Sequence, residues 1–251
     1  MLLLLALPAW ADPAVDKVLD CMRANVPPTL RIQEIELQAT DRTGSVRTLK
    51  GRLYAMRDKG LLRAMVRMAE PLDLAGAAYL VRETAAADRS DEMYMYLPAV
   101  NRVRRITGAS ADGSFLGTDF SYNDVKEIEN AFVDAEGRLE KAEQLEQRPV
   151  NVLTFKPRSG QASRYSMLRA WVDQKTCMAL RVDFYEGDTP RKQLTAPASA
   201  LQQSGTYWYL SQAQMQDLKD KTSTRLRVTG VSSGAELATR IFDPHSFYLG
   251  N

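Results

Sequence analysis

The sequence is poor in the residues on which most enzyme sites depend. Its 251 residues include one histidine, His245, and two cysteines. No zinc-ligand spacing, phosphate-binding glycine loop or nucleophile elbow occurs. The nearest approach to an elbow, Gly108–Asp112, lacks the second glycine that its strained turn requires. The sequence therefore predicts a protein that is not an enzyme and that uses no metal or cofactor.

An excess of one charge and a long hydrophobic run are also missing. The formal net charge is +2, which argues against a nucleic-acid binder. The N-terminal run Leu2–Ala9 is far shorter than the roughly 20 residues that span a bilayer. Ala9-Trp10-Ala11 fits the small-x-small rule for signal-peptide cleavage before Asp12, although no Lys or Arg precedes the run. We expect residues 1–11 to be a signal peptide and the mature protein to be periplasmic; a buried N-terminal strand is the alternative.

The two cysteines, Cys21 and Cys177, gain significance in an exported chain. An even number of cysteines in an oxidising compartment predicts a disulfide, which would join an N-terminal helix to a late strand. A bond that closes so long a loop contributes on the order of 4–5 kcal/mol in the chain-entropy model. Two buried free thiols are the alternative.

Alternation of apolar and polar residues dominates the chain after its first segment. Asp12, Pro13 and one apolar face predict a helix over residues 12–25, which Pro27-Pro28 ends. Alternating runs such as 34–38 then recur between compact turn signals, which indicates antiparallel hairpins and about ten or eleven strands.

A sheet of that size must curl, close or split. We therefore predict a mainly β fold, a curved and incompletely closed antiparallel β-barrel with an N-terminal helix and a helical lid. Since no repeat or linker divides the chain, residues 12–251 are predicted to form a single domain.

Residues 112–132 are the main interruption of the alternation. Their apolar positions follow a loose helical period, and Gly113 and Gly117 precede or break it. We expect a short helical lid with flexible joints. A helix that packs permanently on the sheet is equally compatible with the pattern.

Several methionines fall on positions predicted to face inward. Unbranched thioethers adapt to flexible apolar ligands, which suits a pocket for acyl chains. The predicted ligand contacts are Met65, Met93, Met95, Leu97, Phe115, Leu116, Phe120 and Trp208. An ordinary core packed with methionine and aromatic residues is the alternative.

Three arginines, Arg102, Arg104 and Arg105, follow the Met/Tyr run closely. They are predicted to meet the phosphate of a lipid headgroup or an acidic partner. A solvated edge strand is the simpler alternative and the one that the pattern favours, because edge strands often carry charge.

The segment Met93–Val125 resembles the periplasmic lipoprotein-carrier family, the LolA/LolB-like proteins, and within it the branch described as outer-membrane lipoprotein-sorting proteins. The matching stretches are Tyr94–Ala99, Arg102–Ile106 and Gly113–Asp124, in which Thr118 and Asn123 depart mildly from the family pattern. A looser likeness covers most of the mature chain, including Thr176–Tyr185 and Ile241–Asp243.

The resemblance implies an unclosed antiparallel barrel with a helical lid over a hydrophobic cavity. It also implies the acyl chains of a lipid or lipoprotein as cargo, an inner-membrane transporter as donor, and transient contact with a membrane or an outer-membrane acceptor. We expect a monomeric carrier between the two membranes. Two alternatives are a non-catalytic envelope scaffold with a filled core, and a hydrolase that uses lid carboxylates such as Asp119 and Asp124.

Overall fold

Sixteen β-strands and two α-helices make up the regular structure of residues 12–85, 90–130, 135–157, 163–234 and 239–249, which this computed structural model describes. The helices are α1 (Pro13–Arg23) and α2 (Tyr122–Asn130). The strands are β1 (Leu30–Thr40), β2 (Val46–Asp58), β3 (Leu61–Glu70), β4 (Ala78–Arg82), β5 (Glu92–Leu97), β6 (Arg102–Ile106), β7 (Ala135–Leu139), β8 (Glu143–Leu145), β9 (Arg148–Pro157), β10 (Met167–Asp173), β11 (Ala179–Glu186), β12 (Thr189–Thr195), β13 (Leu201–Ser204), β14 (Tyr207–Leu210), β15 (Gln212–Asp217) and β16 (Thr222–Gly234). The predicted signal peptide lies outside the described residues.

Fourteen of these strands form one antiparallel sheet that does not close on itself. Its order is β6-β5-β4-β3-β2-β1-β16-β15-β12-β11-β10-β9-β7, and β8 also pairs with β9. One edge is therefore β6, the other is shared by β7 and β8, and β13 and β14 form a separate hairpin. The predicted fold class, a mainly β and unclosed antiparallel barrel, is confirmed.

The predicted number of strands is too low. The additional strands include β8, with three residues, and β13 and β14, with four residues each. Such strands are too short to display the period of two on which the prediction depends.

The sheet curls so strongly that distant strands reach the same short segment. Tyr79 on β4 donates its hydroxyl to the carbonyl of Tyr122 (2.8 Å), and Lys192 on β12 donates to the carbonyl of Asp119 (2.5 Å). Six strand spacings separate β4 from β12, which would be about 29 Å in a flat sheet. Because Asp119 and Tyr122 are close neighbours in the chain, the sheet must bend around them.

The curled sheet has an apolar layer on each face. The inner layer includes Leu49, Val66, Tyr79, Met93, Met95, Phe155, Phe184 and Met215. The outer layer contains Leu30, Tyr54, Met65, Ala78 and Leu80, and residues 239–249 pack on it through Ile241, Phe242 and Phe247. The C-terminal segment is thus a structural part of the outer face.

Helix α1 packs against one end of the sheet and is bonded to it. Asp12 caps the helix by accepting from the Ala14 N–H (2.9 Å), as the sequence predicts. Cys21 and Cys177 form a disulfide with their Cα atoms 5.7 Å apart, within the range of native disulfides. This bond joins α1 to the turn between β10 and β11. None of the helices among the described residues is long and apolar enough to cross a membrane.

Two irregularities in neighbouring ladders allow the strands around β1 to bend. The β1–β16 register shifts between Glu34 and Ile35, and the β2–β3 register shifts between Lys50 and Gly51. A Cβ atom on Gly51 would lie 2.3 Å from the backbone oxygen of Arg67. A side chain at this position therefore requires the backbone to move.

Gly51→Ala is expected to lower the free energy of unfolding by about 2–3 kcal/mol, because overpacking against backbone cannot be relieved by a rotamer change. Gly230→Ala is the matched control, since a Cβ there would make an ordinary 3.5 Å contact with Glu34. Urea denaturation of both variants measures the difference. Equal stability of the two would contradict the assigned close approach.

Candidate functional site

Residues 113–121 form a hairpin-like finger over the inner face of the sheet, and the helix predicted for this part of residues 112–132 is wrong. Ser114 and Ser121 form an isolated antiparallel bridge. Within it, the Phe115 N–H donates to the Phe120 carbonyl (2.7 Å), and the Thr118 N–H donates to the Phe115 carbonyl (3.0 Å). These bonds close a tight turn instead of continuing a helix.

The tip of the finger has a left-handed backbone that explains the turn. Leu116 has φ 52° and Gly117 has φ 80°, the signs that a type I′ hairpin turn requires. Glycine accepts this conformation without cost, whereas leucine is strained in it. The loose helical period of the apolar residues therefore arises from a turn, which brings Phe115 and Phe120 to the same side of the finger.

Helix α2 begins directly after the finger, at a capping box. The Ser121 N–H donates to the Asp124 carboxylate (2.8 Å), and the Asp124 N–H donates to the Ser121 hydroxyl (3.0 Å). Reciprocal bonds of this kind fix a helix N-terminus. The predicted helical lid is thus half finger and half helix, and we call residues 113–130 the cover.

Three aromatic rings hold the cover against the inner face. The ring centroids of Tyr79 and Phe115 are 5.6 Å apart, those of Tyr79 and Tyr122 are 5.2 Å apart, and those of Phe115 and Tyr122 are 5.8 Å apart. Phe115 and Phe120 are both buried. Burial raises the pKa of Tyr79 well above its ordinary value, so its hydroxyl stays protonated and donates to the Tyr122 carbonyl.

A half-buried polar cluster, which we call the latch, ties the finger to β12 and β16. The Asp119 carboxylate accepts from the hydroxyls of Thr222 and Thr224, the latter at 2.6 Å. The Asp119 N–H donates to Thr224 Oγ1 (2.9 Å). Lys192 donates to the Asp119 carbonyl (2.5 Å), and its Nζ lies 3.5 Å from the Asp124 carboxylate. Charged acceptors and donors strengthen such bonds, so the latch holds the finger at a defined position.

Further polar contacts lie at the two ends of the cover. Lys126 on α2 is buried and lies 3.3 Å from the carboxylate of Asp91, the residue before β5. At the other end, Asp112 accepts from the Arg164 N–H (3.0 Å), and burial raises the pKa of Asp112. The cover is therefore attached by side chains to strands that lie on opposite sides of the barrel.

The two carboxylates considered for acid–base chemistry are engaged in these contacts. Asp119 is bonded to two threonine hydroxyls, while Asp124 caps α2 and faces Lys192. Both serve to position the cover. In the described part of the chain, no three His, Cys, Asp or Glu residues are grouped as a metal site requires.

Most of the predicted ligand contacts share the inner layer. Met93 and Met95 are buried there, with Leu97 packed beside them. Phe115 and Phe120 reach the same cluster from the finger, and Leu116 packs against it.

Met65 and Trp208 lie elsewhere. Met65 faces the outer layer, where its cross-strand neighbours are Tyr54 and Leu80. The run 62–68 is apolar on both faces, so alternation alone does not fix its orientation. Trp208 is half-buried on the β13–β14 hairpin, and its backbone N–H donates to the side-chain oxygen of Asn25 (3.0 Å). In these contacts, neither Met65 nor Trp208 touches the cover.

The three predicted arginines lie on the edge strand β6. Arg102, Arg104 and Arg105 are all exposed. In the β5–β6 register Arg104 pairs with Met95 and Arg105 with Tyr94, so the two arginines lie on opposite faces of the sheet.

Sequence reasoning missed Tyr79 and the latch partners Thr222, Thr224 and Lys192. Tyr79 lies in the uniformly apolar run 77–81, which contains no sign of a special role. More than a hundred residues separate Asp119 from its threonine partners. No local pattern can reveal a contact at that distance in the chain.

In the part of the chain that the structure describes, two clefts open on the outer face of the sheet. One, of about 510 Å³, lies between β16 and β3 at the register shifts, and the other, of about 610 Å³, lies between β6 and residues 243–248. Neither is lined by Phe115, Leu116 or Phe120. With the cover in place, the inner layer packs against it.

Comparison with known proteins identifies the family of this chain. A family model described as "Uncharacterized protein" matches residues 60–247. The chain belongs to that family. A search of curated proteins finds no match.

Solved structures show the same fold at low sequence identity. A domain described as an outer membrane lipoprotein-sorting protein from Vibrio parahaemolyticus superposes with a TM-score of 0.81 at 23% identity, over 93% of this chain and 99% of that one. A DUF1329 family protein from Desulfovibrio piger gives 0.83 at 23% identity, over 93% and 97%. A LolA superfamily protein from Nitrosomonas europaea gives 0.69 at 15% identity, over 91% and 96%. The resemblance to LolA-like proteins is thus confirmed in the fold.

Replacing both latch threonines, Thr222→Val with Thr224→Val, is expected to loosen the finger while the sheet stays folded. The Asp119 carboxylate loses two donors, so amide hydrogen exchange in residues 113–121 should rise about tenfold, equivalent to about 1.4 kcal/mol. Thr229→Val on the same strand is the matched control, because its exposed hydroxyl contacts only the Glu34 carbonyl (3.4 Å). Unchanged exchange in the finger would show that the latch does not hold it.

Proposed function

We propose that this protein is a non-enzymatic periplasmic carrier that binds the acyl chains of a lipid or lipoprotein against the inner layer, beneath the cover. The observation that carries the proposal is the way the cover is attached. An apolar inner face is shielded by one segment, residues 113–130, which is held by side-chain contacts and a small aromatic cluster instead of by a strand ladder. Such a segment can leave without disturbing the sheet.

The energetics of an acyl chain set what the carrier must supply. Burial stabilises a chain by about 0.8 kcal/mol per CH₂, so a 16-carbon chain costs roughly 12 kcal/mol to expose to water. Methionine side chains such as Met93 and Met95 can repack around a flexible guest. The inner layer therefore offers the kind of surface that recovers most of this free energy.

The packing of the cover in its closed position also explains how the proposed carrier releases its cargo. Phe115 and Tyr122 pack on Tyr79 when the cover is down, so a guest must displace those rings and break the latch. The cost of lifting the cover offsets part of the gain from burying the chain. A carrier needs that compensation, because it must hold its cargo without trapping it.

The remaining parts of the proposal follow the fold resemblance. The relative from Vibrio parahaemolyticus is described as a lipoprotein-sorting protein, which supports cargo transfer toward the outer membrane. We infer an inner-membrane transporter as donor, transient contact with a membrane or an outer-membrane acceptor, and a monomer that consists of one domain after cleavage of residues 1–11.

Met93→Gln is expected to weaken binding of a fluorescent fatty acid about tenfold, because a buried amide in the inner layer penalises an apolar guest. Met65→Gln is the matched control: it places the same amide in the outer layer, and both methionines are buried. Probe titrations and thermal melts are compared for the two variants. Equal loss of affinity in both, or binding that follows melting temperature alone, would refute the inner site.

Protein purified from its native host is expected to carry lipid or an acylated protein. Native mass spectrometry of the intact complex, followed by solvent extraction, identifies the bound species. The Thr222→Val, Thr224→Val double variant should retain less of it. Lipid-free protein that also ignores fatty-acid probes would favour the scaffold with a filled core.

A further inference from the structure

The edge strand β6 presents an unpaired backbone to solvent. It pairs with β5 on one side and ends the strand order on the other. Among the described residues, no hydrogen bond outside the β5 ladder involves the backbone of Arg102–Ile106. An unpaired row of N–H and C=O groups is a template for another strand.

The arginines of this edge also lack the carboxylate partners that several arginines of interior strands have. Examples of such pairs are Arg52–Glu34 (2.7 Å), Arg82–Glu92 (3.4 Å), Arg169–Glu140 (2.7 Å) and Arg181–Asp183 (2.6 Å). Within the described ranges, no carboxylate lies within 4.0 Å of Arg102, Arg104 or Arg105. The edge therefore carries three exposed positive charges that nothing in this part of the chain neutralises.

The two faces of the edge are both basic. Arg102 and Arg104 share the inner side, opposite Leu97 and Met95, while Arg105 lies on the outer side, opposite Tyr94. A second copy of the same strand would place arginine against arginine, which is unfavourable, whereas acidic side chains would be stabilised there. Charge thus selects against self-pairing and in favour of an acidic strand.

A cleft adjoins the start of this edge. It has a volume of about 610 Å³ and is lined by Arg82, Asn101, Arg102, His245 and Tyr248 among others. It also contains the Arg82–Glu92 ion pair and Asp243, whose carboxylate accepts from the His245 N–H. The cleft is thus not a further source of positive charge, and the selection of an acidic segment depends on the three arginines of the strand.

We propose that β6 is a docking site for an extended acidic segment of a protein partner, which adds to the sheet as a further strand. Backbone bonds to β6 provide the alignment, and the three arginines provide the selection of acidic side chains. Arg102 and Arg104 border the inner side of the sheet, but the strand addition involves the backbone of β6 and is measured without cargo, so the proposal does not depend on acyl-chain binding.

An acetylated eight-residue peptide of alternating Glu and Val tests the proposal against its Lys–Val counterpart. The acidic peptide is expected to bind, to weaken as salt rises, and to protect the amides of residues 102–106 from hydrogen exchange. Arg104→Glu with Arg105→Glu should weaken binding at least about tenfold. N-methylation of every second peptide residue should abolish binding when the methylated amides are those that donate to β6. It should preserve binding when the methylated amides are those that point away from β6.

Arg42→Glu with Arg225→Glu is the control of equal charge change. Both arginines are exposed, and Arg225 lies on β16, which has a partner strand on each side. This variant should bind the acidic peptide nearly as well as the unmodified protein, and thermal melts should show that both double variants fold. Binding without protection of β6, or equal loss in the two double variants, overturns strand addition. Anionic phospholipid vesicles that bind through the same arginines, with no peptide binding, would assign the edge to a membrane instead.

Discussion

The closed position of the cover depends on polar groups of the finger that find their partners on the far side of the barrel. The half-buried Asp119 is bonded to Thr222, Thr224 and Lys192, and the last two of these are buried. Leaving such groups unpaired would be costly, but water can replace every partner once the segment has lifted. The difference in free energy between the closed and open positions of the cover is therefore small compared with the summed strength of the latch contacts. A curved sheet alone encloses its interior only from one side; the latch completes the enclosure, and in the proposed carrier it opens to admit cargo.

The class of fold could be predicted from the sequence because it depends on local patterns. Alternating runs and turn signals define antiparallel strands, and a sheet so large must curl. The same alternation of apolar and polar residues correctly places Met93 and Met95 on the inner face. It fails for Met65, because β3 is apolar on both sides and residues 239–249 cover its outer face. Alternation tells which residues share a face, and only tertiary contacts tell which face is inside.

The site itself was less accessible to such reasoning. The sequence places Phe115 and Phe120 on the cover, but the helix predicted from their spacing is wrong, because the left-handed Leu116–Gly117 pair forms a turn. The latch joins residues about a hundred positions apart, so it exists only once the sheet has curled. Hydrogen bonds such as those of the latch give little signal in a single sequence, since threonine is common on strands wherever they occur.

The packing of residues 239–249 on the outer layer has a consequence for folding. Strands β1 to β5 come early in the chain, and Leu30, Tyr54 and Leu80 form an apolar surface on them. The residues that cover this surface, Ile241, Phe242 and Phe247, follow every strand of the sheet. Arg67 likewise depends on the carbonyls of Phe247 and Leu249. An incompletely folded chain therefore exposes the outer apolar layer until its C-terminal segment docks, and factors that bind such a surface should raise the yield of native protein.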